Sequence, residues 1–221
     1  MRREIRKTND GLCTIYLPDL DECYHSTNGA YQEAMHVFIE SGWKRINLDS
    51  VSILEIGFGT GLNAMLTLIQ GEKENRHVKY VGLEAFPVSD KEISQLGYAE
   101  FPSISSYKSL YLQMHESEWG KEVGITPLFH LTKIKQSLEI YEPPINSFNL
   151  VYFDAFGPKV QPEMWTEEVF HKLFTSLQSG GILVTYSANG QVRRNLQAVG
   201  FHVERIPGPP GKREMLRATK P

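Results

Sequence analysis

Three glycines, Gly57, Gly59 and Gly61, fall on alternate positions between an apolar run and a helical pattern. The run VSILEI, residues 51–56, is short, unbroken and rich in β-branched residues, which predicts a buried parallel strand. The segment GLNAML then begins a helix. Because glycine has no Cβ, the backbone of such a loop turns sharply and approaches a ligand closely. The pattern therefore predicts a site for a nucleotide-like ligand.

The spacing of this loop separates three classes of ligand. A P-loop ends in Gly-Lys-Ser/Thr, but Leu62 and Asn63 follow Gly61 here, so no lysine is placed for a nucleoside triphosphate. The dinucleotide fingerprint has a small residue at the position of Leu62, which disfavours NAD. The remaining pattern, E-x-G-x-G-x-G, resembles the S-adenosylmethionine (SAM) loop of Rossmann-like methyltransferases, whose ligand has no pyrophosphate. The alternative is a tight strand-to-helix turn without a ligand.

Two carboxylates follow apolar runs that are predicted to be parallel strands. Glu84 comes directly after VKYVGL, and Asp154 comes directly after FNLVYF. Ligands of open α/β sheets lie beyond the carboxyl ends of the strands, so both acids are candidates for the same site. Glu84 is predicted to accept hydrogen bonds from ribose hydroxyls, with a surface acid as the alternative. Asp154 would lie beside the sulfonium of SAM and accept a proton or hold an amine, unless it only caps the next turn.

Aromatic and proline side chains surround Asp154 in the sequence. The loop YFDAFGPKVQPEMWT carries Phe156, Pro158 and Trp165, and the fifth predicted strand ends at Tyr186. Aromatic side chains in such a loop can stack on a nucleobase, since every base has a π face. For any one of these residues, ordinary core packing is the alternative.

From residue 46 onward the sequence predicts a doubly wound α/β sheet, because predicted strands alternate with predicted helices. The further parallel strands are expected at 78–83, 126–131, 148–153 and 180–187, with helices near 88–97, 132–140, 165–178 and 190–199. FHVERI and REMLRAT form a terminal antiparallel hairpin. This order is typical of a seven-stranded, mostly parallel, Rossmann-like SAM-dependent methyltransferase sheet with a C-terminal antiparallel hairpin. Residues 98–125 are expected to be an insertion with a helix.

The N-terminal segment is predicted to be a small extension. EIRKT and LCTIYL, joined through Asn9-Asp10-Gly11, indicate a β-hairpin, and residues 29–41 indicate an amphipathic helix. We therefore divide the chain into an N-terminal hairpin and helix extension, residues 1–45, and a SAM-binding methyltransferase domain, residues 46–221.

Composition narrows the function classes. The 221 residues are 41% hydrophobic, which predicts a packed domain, and no apolar run approaches the roughly 20 residues of a membrane span. MRREIRKTND lacks the apolar core of a signal peptide, so we expect a cytoplasmic protein without a membrane partner. Cys13 and Cys23 suit neither a disulfide framework nor a zinc site, and no metal is expected.

The charge distribution is uneven. The net charge is −3, but residues 1–8 carry +3 and residues 193–221 carry +5, which leaves −11 for the remainder. This separation is compatible with a basic face for a polyanion on an acidic body. The alternative is that both ends are merely solvated.

Six segments together resemble one enzyme family. They are YHSTNGAYQEAMHVF, LEIGFGTGLN, LEAFP, FDAFGPKVQPEMWT, TYSANGQVRRNLQAVGF and GKREML. They look like the methyltransferase unit of the MnmC/MnmD family, which makes the last methylation of 5-methylaminomethyl-2-thiouridine at the tRNA wobble position. Some members fuse this unit to a flavin-dependent oxidase. The resemblance implies a methyltransferase alone, with tRNA as substrate and a separate oxidase or upstream wobble-modification enzymes as partners.

The resemblance assigns roles residue by residue. The cofactor SAM would be held by the glycine loop and the acid after the second strand, namely Glu55, Gly57, Phe58, Gly59, Gly61, Asn63 and Glu84. Asp154 would face the substrate amine. The pocket cover, the aromatic wall and the basic tRNA-facing positions would be Tyr24, His25, Ser26, Phe156, Pro158, Trp165, Tyr186, Arg193, Arg194, Lys212 and Arg213. This chain departs from the family where Thr132 and Lys133 replace the usual Gly-Asp after the third strand, an expected adenine contact.

Amine methylation requires an unprotonated nitrogen held in line with the S–CH3 bond, and a primary alkyl ammonium is mostly charged near pH 7. Asp154 can orient the amine or accept its proton, and positioning supplies much of the acceleration. His25 as the base is the less favoured assignment, compared with a structural or tRNA-contacting histidine.

Two alternatives stay open from the sequence. One is a SAM-dependent small-amine methyltransferase or an aminopropyltransferase-like enzyme, which needs no basic ends and favours several acids around its pocket. The other is a non-catalytic Rossmann-like RNA-binding module that has lost SAM. The three glycines, Glu84 and Asp154 argue against the second.

Overall fold

A mixed β-sheet forms the centre of the molecule, and the computed structural model describes residues 2–221. In chain order the strands are β1 Glu4–Lys7, β2 Cys13–Leu17, β3 Glu22–Cys23, β4 Ser50–Ile56, β5 His77–Leu83, β6 Glu122–Gly124, β7 Phe129–Ile134, β8 Phe148–Phe153, β9 Leu177–Thr185, β10 His202–Pro207 and β11 Glu214–Thr219. The α-helices are α1 Ala30–Ala34, α2 Leu62–Glu74, α3 Asp90–Gln95, α4 Lys108–Glu116, α5 Glu167–Ser176 and α6 Gly190–Ala198.

The central sheet has the order β10-β11-β9-β8-β4-β5-β7-β6 within residues 2–221. The five strands from β9 to β7 run parallel, whereas β11, β10 and β6 are antiparallel to their neighbours. The chain leaves β4 for β5 on one side and later returns to β8 on the other. The sheet order therefore switches at β4, and ligands of open α/β sheets bind beside such a switch.

Burial explains why these runs form the central strands. All six residues of β8, FNLVYF, are buried, as expected for a parallel strand covered on both faces. On one face, Tyr80 and Tyr152 pack with Phe38 of the N-terminal segment. On the other face, Phe153 packs against Trp165 and Phe170. Both faces of the central strands are therefore packed against buried side chains.

The third parallel strand lies later in the chain than predicted. The sequence pattern places it at 126–131, but β7 runs through Ile134, and the expected helix at 132–140 is absent from the described residues. Residues 125–129 instead make a tight turn that pairs β6 with β7. This pairing gives the central sheet an eighth strand where seven are predicted. Thr132 and Lys133 consequently lie inside β7, opposite Val81 and Gly82 of β5.

The other predicted elements are present with small shifts. A capping box at Ser89 and Glu92 begins α3, the Thr166 side chain caps α5, and the Asn189 side chain caps α6. The insertion at 98–125 contains a helix, α4, together with β6. The C-terminal hairpin of β10 and β11 is confirmed.

The N-terminal segment forms a three-stranded antiparallel sheet rather than a two-stranded hairpin. The short strand β3 adds to β2 through Tyr16 and Cys23. Helix α1 then continues into a wider π-helical turn, Met35–Glu40. Ile15, Ala34 and Phe38 share one buried cluster with the face of the central sheet. The extension thus covers one side of the sheet and reaches the ends of its strands.

No helix within residues 2–221 combines the length and apolar content needed to cross a bilayer. In the same part of the chain, no group of three or more His, Cys, Asp or Glu side chains is arranged to hold a metal ion.

Candidate active site at the carboxyl ends of β4, β5 and β8

A cavity of about 1020 Å³ opens at the carboxyl ends of the three central strands. Gly57, Glu84 and Asp154 directly follow β4, β5 and β8, and all three line it. The N-terminal extension covers one side with Leu17 and Tyr24. Because ligand pockets usually measure roughly 300–1,000 Å³, this volume is large enough for a nucleoside-sized cofactor and part of a second molecule.

The glycine loop lines the cavity and also packs closely against two other segments of the protein. Gly57 has φ +89°, and a Cβ there would lie 2.7 Å from the carbonyl oxygen of Asp154. Gly59 has φ +49°, and a Cβ there would lie 3.2 Å from the ring of Tyr24. Side chains at these positions would therefore separate the loop from the Asp154 segment and from the N-terminal cover.

Thr60 anchors the glycine loop from three directions. His25 Nε2 lies 2.8 Å from Thr60 Oγ1, while Tyr111 Oη and His115 Nε2 donate to the Thr60 carbonyl oxygen at 2.9 and 3.1 Å. Burial lowers the pKa of His25 to about 4, so this ring is neutral near pH 7. Because His25 is buried and bonded to Thr60, a structural role is favoured over a role as the base that takes the amine proton. Tyr111 and His115 lie in α4, in an insertion whose pattern gave no sign of this contact.

Glu84 lies on the cavity wall and holds two backbone segments. Its carboxylate accepts hydrogen bonds from the backbone N–H of Gly59 at 2.9 Å and of Phe86 at 2.8 Å. These bonds fix the carboxylate between the glycine loop and the loop after β5. The position is the one predicted for the ribose contact, and the remaining lone pairs of the carboxylate are available for it.

Arg3 stabilises the loop after β5 and was not predicted to do so. Its guanidinium donates to the backbone oxygens of Phe86 and Pro87 at 2.6 and 3.2 Å, and to Glu92 Oε2 at 3.2 Å. In the sequence Arg3 counts only as one of several N-terminal cations. Its role depends on a fold that brings β1 beside a loop 84 residues later in the chain.

Asp154 is held at the cavity floor by one side-chain hydrogen bond. Asn63 Nδ2 donates to Asp154 Oδ2 at 2.9 Å. Withdrawal from water and the nearby Glu33 carboxylate raise the pKa of Asp154 to about 7, while Asn63 and Lys212 oppose the rise. A carboxyl that titrates near pH 7 is matched to proton transfer at that pH.

Glu55 does not line the cavity, although the sequence assigns it to cofactor binding. Its side chain is fully buried in β4 beneath the glycine loop, and its Oε1 accepts from Asn63 Nδ2 at 2.9 Å. Burial raises the pKa of Glu55 well above its ordinary value. The strand alternation directs this side chain into the core, so it reaches the cavity only through Asn63. Of the other loop residues predicted to bind cofactor, Gly57, Phe58, Gly59 and Asn63 line the cavity, whereas Gly61 is not among its lining residues.

Two aromatic rings form one wall of the cavity. Tyr24 and Phe156 meet edge to face with ring centroids 5.3 Å apart, and both line the cavity. Tyr24 comes from the segment after β3, and Phe156 follows Asp154 by two residues. The N-terminal motif and the Asp154 loop thus contribute one surface each to the same wall.

Besides the four basic residues, four residues predicted to contact substrate lie outside the cavity lining. Trp165 is buried in the core with Phe153 and Phe170, and its Nε1 donates to the Phe156 carbonyl oxygen at 2.9 Å. Tyr186 Oη donates to the Ala155 carbonyl oxygen at 2.8 Å. Trp165 and Tyr186 therefore support the backbone of the Asp154 loop. Ser26 and Pro158 do not line the cavity either.

The four basic residues predicted to face tRNA have different environments. Lys212 Nζ lies 2.6 Å from Glu33 Oε1 and 3.8 Å from the centroid of the Tyr186 ring, so this cation is already paired. Arg194 is exposed and donates to Gln191 Oε1, and Arg193 is half-buried.

Arg213 is exposed, and within residues 2–221 it takes part in no ion pair. It lies beside Lys212 on a shallow groove of about 450 Å³ with Tyr186 and the loop that precedes α6. Unpaired cations at the surface are the ones available to phosphates. The tRNA-facing prediction therefore keeps Arg193, Arg194 and Arg213, and Lys212 becomes primarily a structural cation.

The segment after β7 contributes to the cavity in place of Thr132 and Lys133. Lys133 is buried, donates to the His115 carbonyl oxygen at 2.6 Å, and has its pKa lowered to about 8 by burial. Because β7 extends to Ile134, the residues at its carboxyl end are those of segment 136–139, which line the cavity. Thr132 and Lys133, where the chain departs from the family pattern, therefore lie inside β7 and do not line the cavity.

The comparison with known families decides the class of this protein. The model of a family described as S-adenosyl-L-methionine-dependent methyltransferase matches residues 104–221, more than half of the chain. The chain belongs to this family. This methyltransferase therefore uses SAM, and the matched region contains Asp154, Tyr186 and the basic C-terminal residues.

Curated relatives share one description, tRNA 5-methylaminomethyl-2-thiouridine biosynthesis bifunctional protein MnmC. The protein of Cupriavidus metallidurans is 31% identical over 229 residues, covering 96% of this chain and 33% of its own length. The protein of Methylobacillus flagellatus is 30% identical over 213 residues, with 91% and 33% covered. The protein of Actinobacillus pleuropneumoniae serotype 5b is 28% identical over 222 residues, also with 91% and 33% covered. The methyltransferase chain thus spans about a third of the length of these relatives.

Solved structures confirm the Rossmann-like methyltransferase fold. MNMC2 from Aquifex aeolicus superposes with a TM-score of 0.77 at 23% identity, covering all of this chain and 72% of that one. Spermidine synthase from Thermotoga maritima superposes with a TM-score of 0.56 at 13% identity, covering 99% and 72%. At these identities the likeness concerns the fold alone.

The residues of the cavity fit SAM. Ile56, Leu62 and Leu83 provide an apolar floor, and the glycine loop exposes backbone beside it. Five carboxylates line the cavity against one guanidinium, that of Arg3; they belong to Glu84, Glu92, Glu139, Asp154 and Glu163. An excess of negative charge suits a cofactor that carries a sulfonium and no phosphate.

Proposed function

We propose that this methyltransferase converts 5-aminomethyl-2-thiouridine to 5-methylaminomethyl-2-thiouridine at the tRNA wobble position. The observation that carries the proposal is Asp154, a carboxyl with a pKa of about 7 that lies at the cavity floor beside the glycine loop and the Tyr24–Phe156 wall. This arrangement supports methylation of an amine attached to an aromatic base. The description shared by the curated relatives, which match over 91–96% of the chain, supports the wobble uridine as that base.

Backbone groups of the glycine loop and the carboxylate of Glu84 would bind different parts of the cofactor. Bound SAM supplies the electrophilic methyl group. The exposed backbone of Gly57 and Gly59 would bind its amino-acid portion, and Glu84 would accept hydrogen bonds from its ribose hydroxyls. The anchors of the loop, which are Thr60 and its partners, keep this backbone in place before the cofactor arrives.

Asp154 acts on the substrate amine. Its Oδ2 is occupied by Asn63, which leaves Oδ1 to accept a hydrogen bond from the amine. In its ionised form the carboxylate orients the nitrogen lone pair and is able to take the proton that must leave before or during methyl transfer. Holding the nitrogen in line with the S–CH3 bond supplies the larger part of the acceleration.

The aromatic wall and the basic surface would bind the tRNA. Tyr24 and Phe156 offer apolar ring surface to the uridine base, which must leave the anticodon stack to reach Asp154. Arg193, Arg194 and Arg213 would contact phosphates outside the cavity. A tRNA substrate would place the enzyme in the cytoplasm. We further propose that a partner oxidase or upstream wobble-modification enzymes supply the primary amine.

The excess of acids around the cavity is the observation that favours a small-amine or aminopropyltransferase-like enzyme. Two of these acids are already engaged, because Glu84 accepts from Gly59 and Phe86, and Glu92 accepts from Ser89 and Arg3. Glu139 and Glu163 are exposed at the rim. Asp154 is the carboxylate that offers a free oxygen at the cavity floor, which suits one amine rather than a polyamine.

Transfer of labelled methyl from SAM separates these functions. The purified protein is offered tRNA that carries 5-aminomethyl-2-thiouridine, the same tRNA after full modification, and free amines that include spermidine. We expect label only in the first tRNA. Label in free amines would overturn the proposal in favour of a small-amine enzyme. Absence of SAM binding by calorimetry would favour a non-catalytic RNA-binding module.

A further inference from the structure

One side chain connects the cavity floor to the interior of the sheet. Asn63 is the second residue of α2, and its Nδ2 donates to Glu55 Oε1 and to Asp154 Oδ2, both at 2.9 Å. An amide NH2 group has two hydrogens, so both are used, one for each carboxyl group. Asn63 is buried and its Oδ1 has no partner within residues 2–221. The amide is therefore oriented by the two carboxyl groups.

Glu55 provides the fixed end of this connection. It is fully buried, its Oε2 has no hydrogen-bond partner in the described chain, and no lysine or arginine pairs with it there. An ionised carboxylate without a cation is very unfavourable in such a site, so Glu55 is neutral. A neutral carboxyl still offers a carbonyl oxygen to Asn63 without adding a second negative charge beneath Asp154.

The free end of the connection is the carboxylate that faces the cavity. An aspartate side chain has two rotatable bonds and therefore several orientations, and the N–H bond from Asn63 to Oδ2 holds it in one of them, which leaves Oδ1 available to a ligand in the cavity. The same bond favours the ionised form of Asp154. Two charged groups from other elements act on the pKa of Asp154: Glu33 of α1 raises it, and Lys212 between β10 and β11 lowers it. Four further titratable groups interact electrostatically with Asp154: Glu55 of β4, Tyr80 of β5, Tyr98 before α4 and Tyr186 after β9.

We propose that Asn63 is a positioning residue for methyl transfer, which fixes the orientation and the charge of Asp154, and that Glu55 is the neutral anchor of Asn63 rather than a cofactor ligand. The inference rests on the proposed role of Asp154 toward the amine. It requires no contact between Glu55 and SAM, in agreement with the position of Glu55 below the cavity.

The test replaces Asn63 by leucine, which has a similar shape and no amide. We expect Asn63→Leu to bind SAM within about threefold of wild type and to lose about tenfold or more in kcat. In the pH profile of kcat/KM, the pKa on the acid side should rise by about one unit, because the ionised form of Asp154 loses a hydrogen bond. In parallel, the Asp154 carboxyl is titrated by NMR in the protein without substrate, and its midpoint should rise by a similar amount. This titration needs no tRNA, so it tests the inference even if the proposed substrate is wrong.

The pair Glu55→Leu and Glu55→Gln tests the anchor. Leucine removes the acceptor of Asn63 and should lower kcat and raise the Asp154 midpoint, whereas glutamine keeps a carbonyl oxygen and should recover most of the turnover. Wild-type turnover and titration in Asn63→Leu would overturn the inference. If Asn63→Leu fails to fold, the Glu55 pair decides: equal losses in turnover and in SAM affinity for both variants would show a charged cofactor ligand and contradict the neutral anchor.

Discussion

Lys212 Nζ lies 2.6 Å from Glu33 Oε1, which ties the turn between the last two strands to the N-terminal helix. Glu33 Oε2 also accepts from the backbone N–H of Ser26, in the segment that covers the cavity. The N-terminal cover and the C-terminal hairpin are 179 residues apart in sequence at this contact. Both charges lie close enough to Asp154 to influence its pKa, which Glu33 raises and Lys212 lowers.

The first prediction concerns this ion pair. Lys212→Ala should lower the free energy of unfolding by about 1–3 kcal/mol, because the mostly buried Glu33 carboxylate loses a charged donor. The salt dependence of tRNA binding should stay unchanged. Chemical denaturation of Lys212→Ala, Glu33→Gln and the double variant measures the coupling between the two residues. Additive losses in the double variant would show that the pair does not act as a unit.

The second prediction concerns three arginines, of which Arg194 and Arg213 are exposed and Arg193 is half-buried. Arg213→Ala, and separately the pair Arg193→Ala and Arg194→Ala, should weaken tRNA binding and reduce its salt slope by about one unit for each phosphate that the variant no longer binds. SAM affinity should not change. The control is Lys121→Ala, an exposed lysine beside the opposite sheet edge, where no effect on tRNA is expected. Wild-type slopes in all arginine variants would remove this surface from the tRNA interface.

The third prediction uses the pKa of Asp154, about 7 in the protein without SAM. The carboxyl is neutral below this pKa and negative above it, so its attraction for the sulfonium is gained as the pH rises. SAM affinity should therefore increase from pH 6 to pH 8 by roughly tenfold, or about 1.4 kcal/mol. Calorimetry across this range checks the increase. Asp154→Asn is the control: it should retain SAM binding without this pH dependence, and an equal slope in both proteins would rule out Asp154 as the titrating group.

The fourth prediction concerns Glu84. Glu84→Ala should weaken SAM binding by roughly 1–3 kcal/mol, the range for hydrogen bonds to a charged group. It should also lower thermal stability, because the N–H groups of Gly59 and Phe86 lose their acceptor. Glu84→Gln keeps an uncharged acceptor and should be less destabilised. Glu168→Ala, at an exposed glutamate of α5 that does not line the cavity, is the matched control and should leave SAM affinity unchanged. SAM affinity equal to wild type in both Glu84 variants would exclude Glu84 from the site.

The sequence predicted those parts of the fold that follow from local pattern. Strand β4, the glycine loop and the acids at the ends of β5 and β8 depend on burial and glycine geometry, which short segments encode. The end of β7 was missed because Lys133 interrupts the apolar pattern of a strand. Its ammonium is accommodated by the His115 carbonyl and the Trp119 ring, which no local pattern shows.

The chemistry of the site was less accessible from sequence where it depends on contacts between distant segments. Glu55 was assigned to the cofactor from its place in the motif, but the alternation of β4 buries it. The sequence pattern shows Arg3 only as an N-terminal cation and predicts Lys212 to face tRNA, because their partners Glu92 and Glu33 lie 89 and 179 residues away in the chain. For Trp165 the sequence leaves both base stacking and core packing open, because periodicity cannot distinguish a core aromatic from a cavity aromatic.

Nucleoside analysis of tRNA tests the central claim most directly. A strain that lacks this protein is complemented with wild-type protein or with Asp154→Asn, whose amide preserves shape without the charge that acts on the amine. We expect 5-aminomethyl-2-thiouridine to accumulate in the deletion strain, to become 5-methylaminomethyl-2-thiouridine with the wild-type protein, and to persist with Asp154→Asn at comparable protein levels. An unchanged nucleoside profile in the deletion strain would contradict wobble-uridine methylation, and full restoration by Asp154→Asn would contradict the role of Asp154.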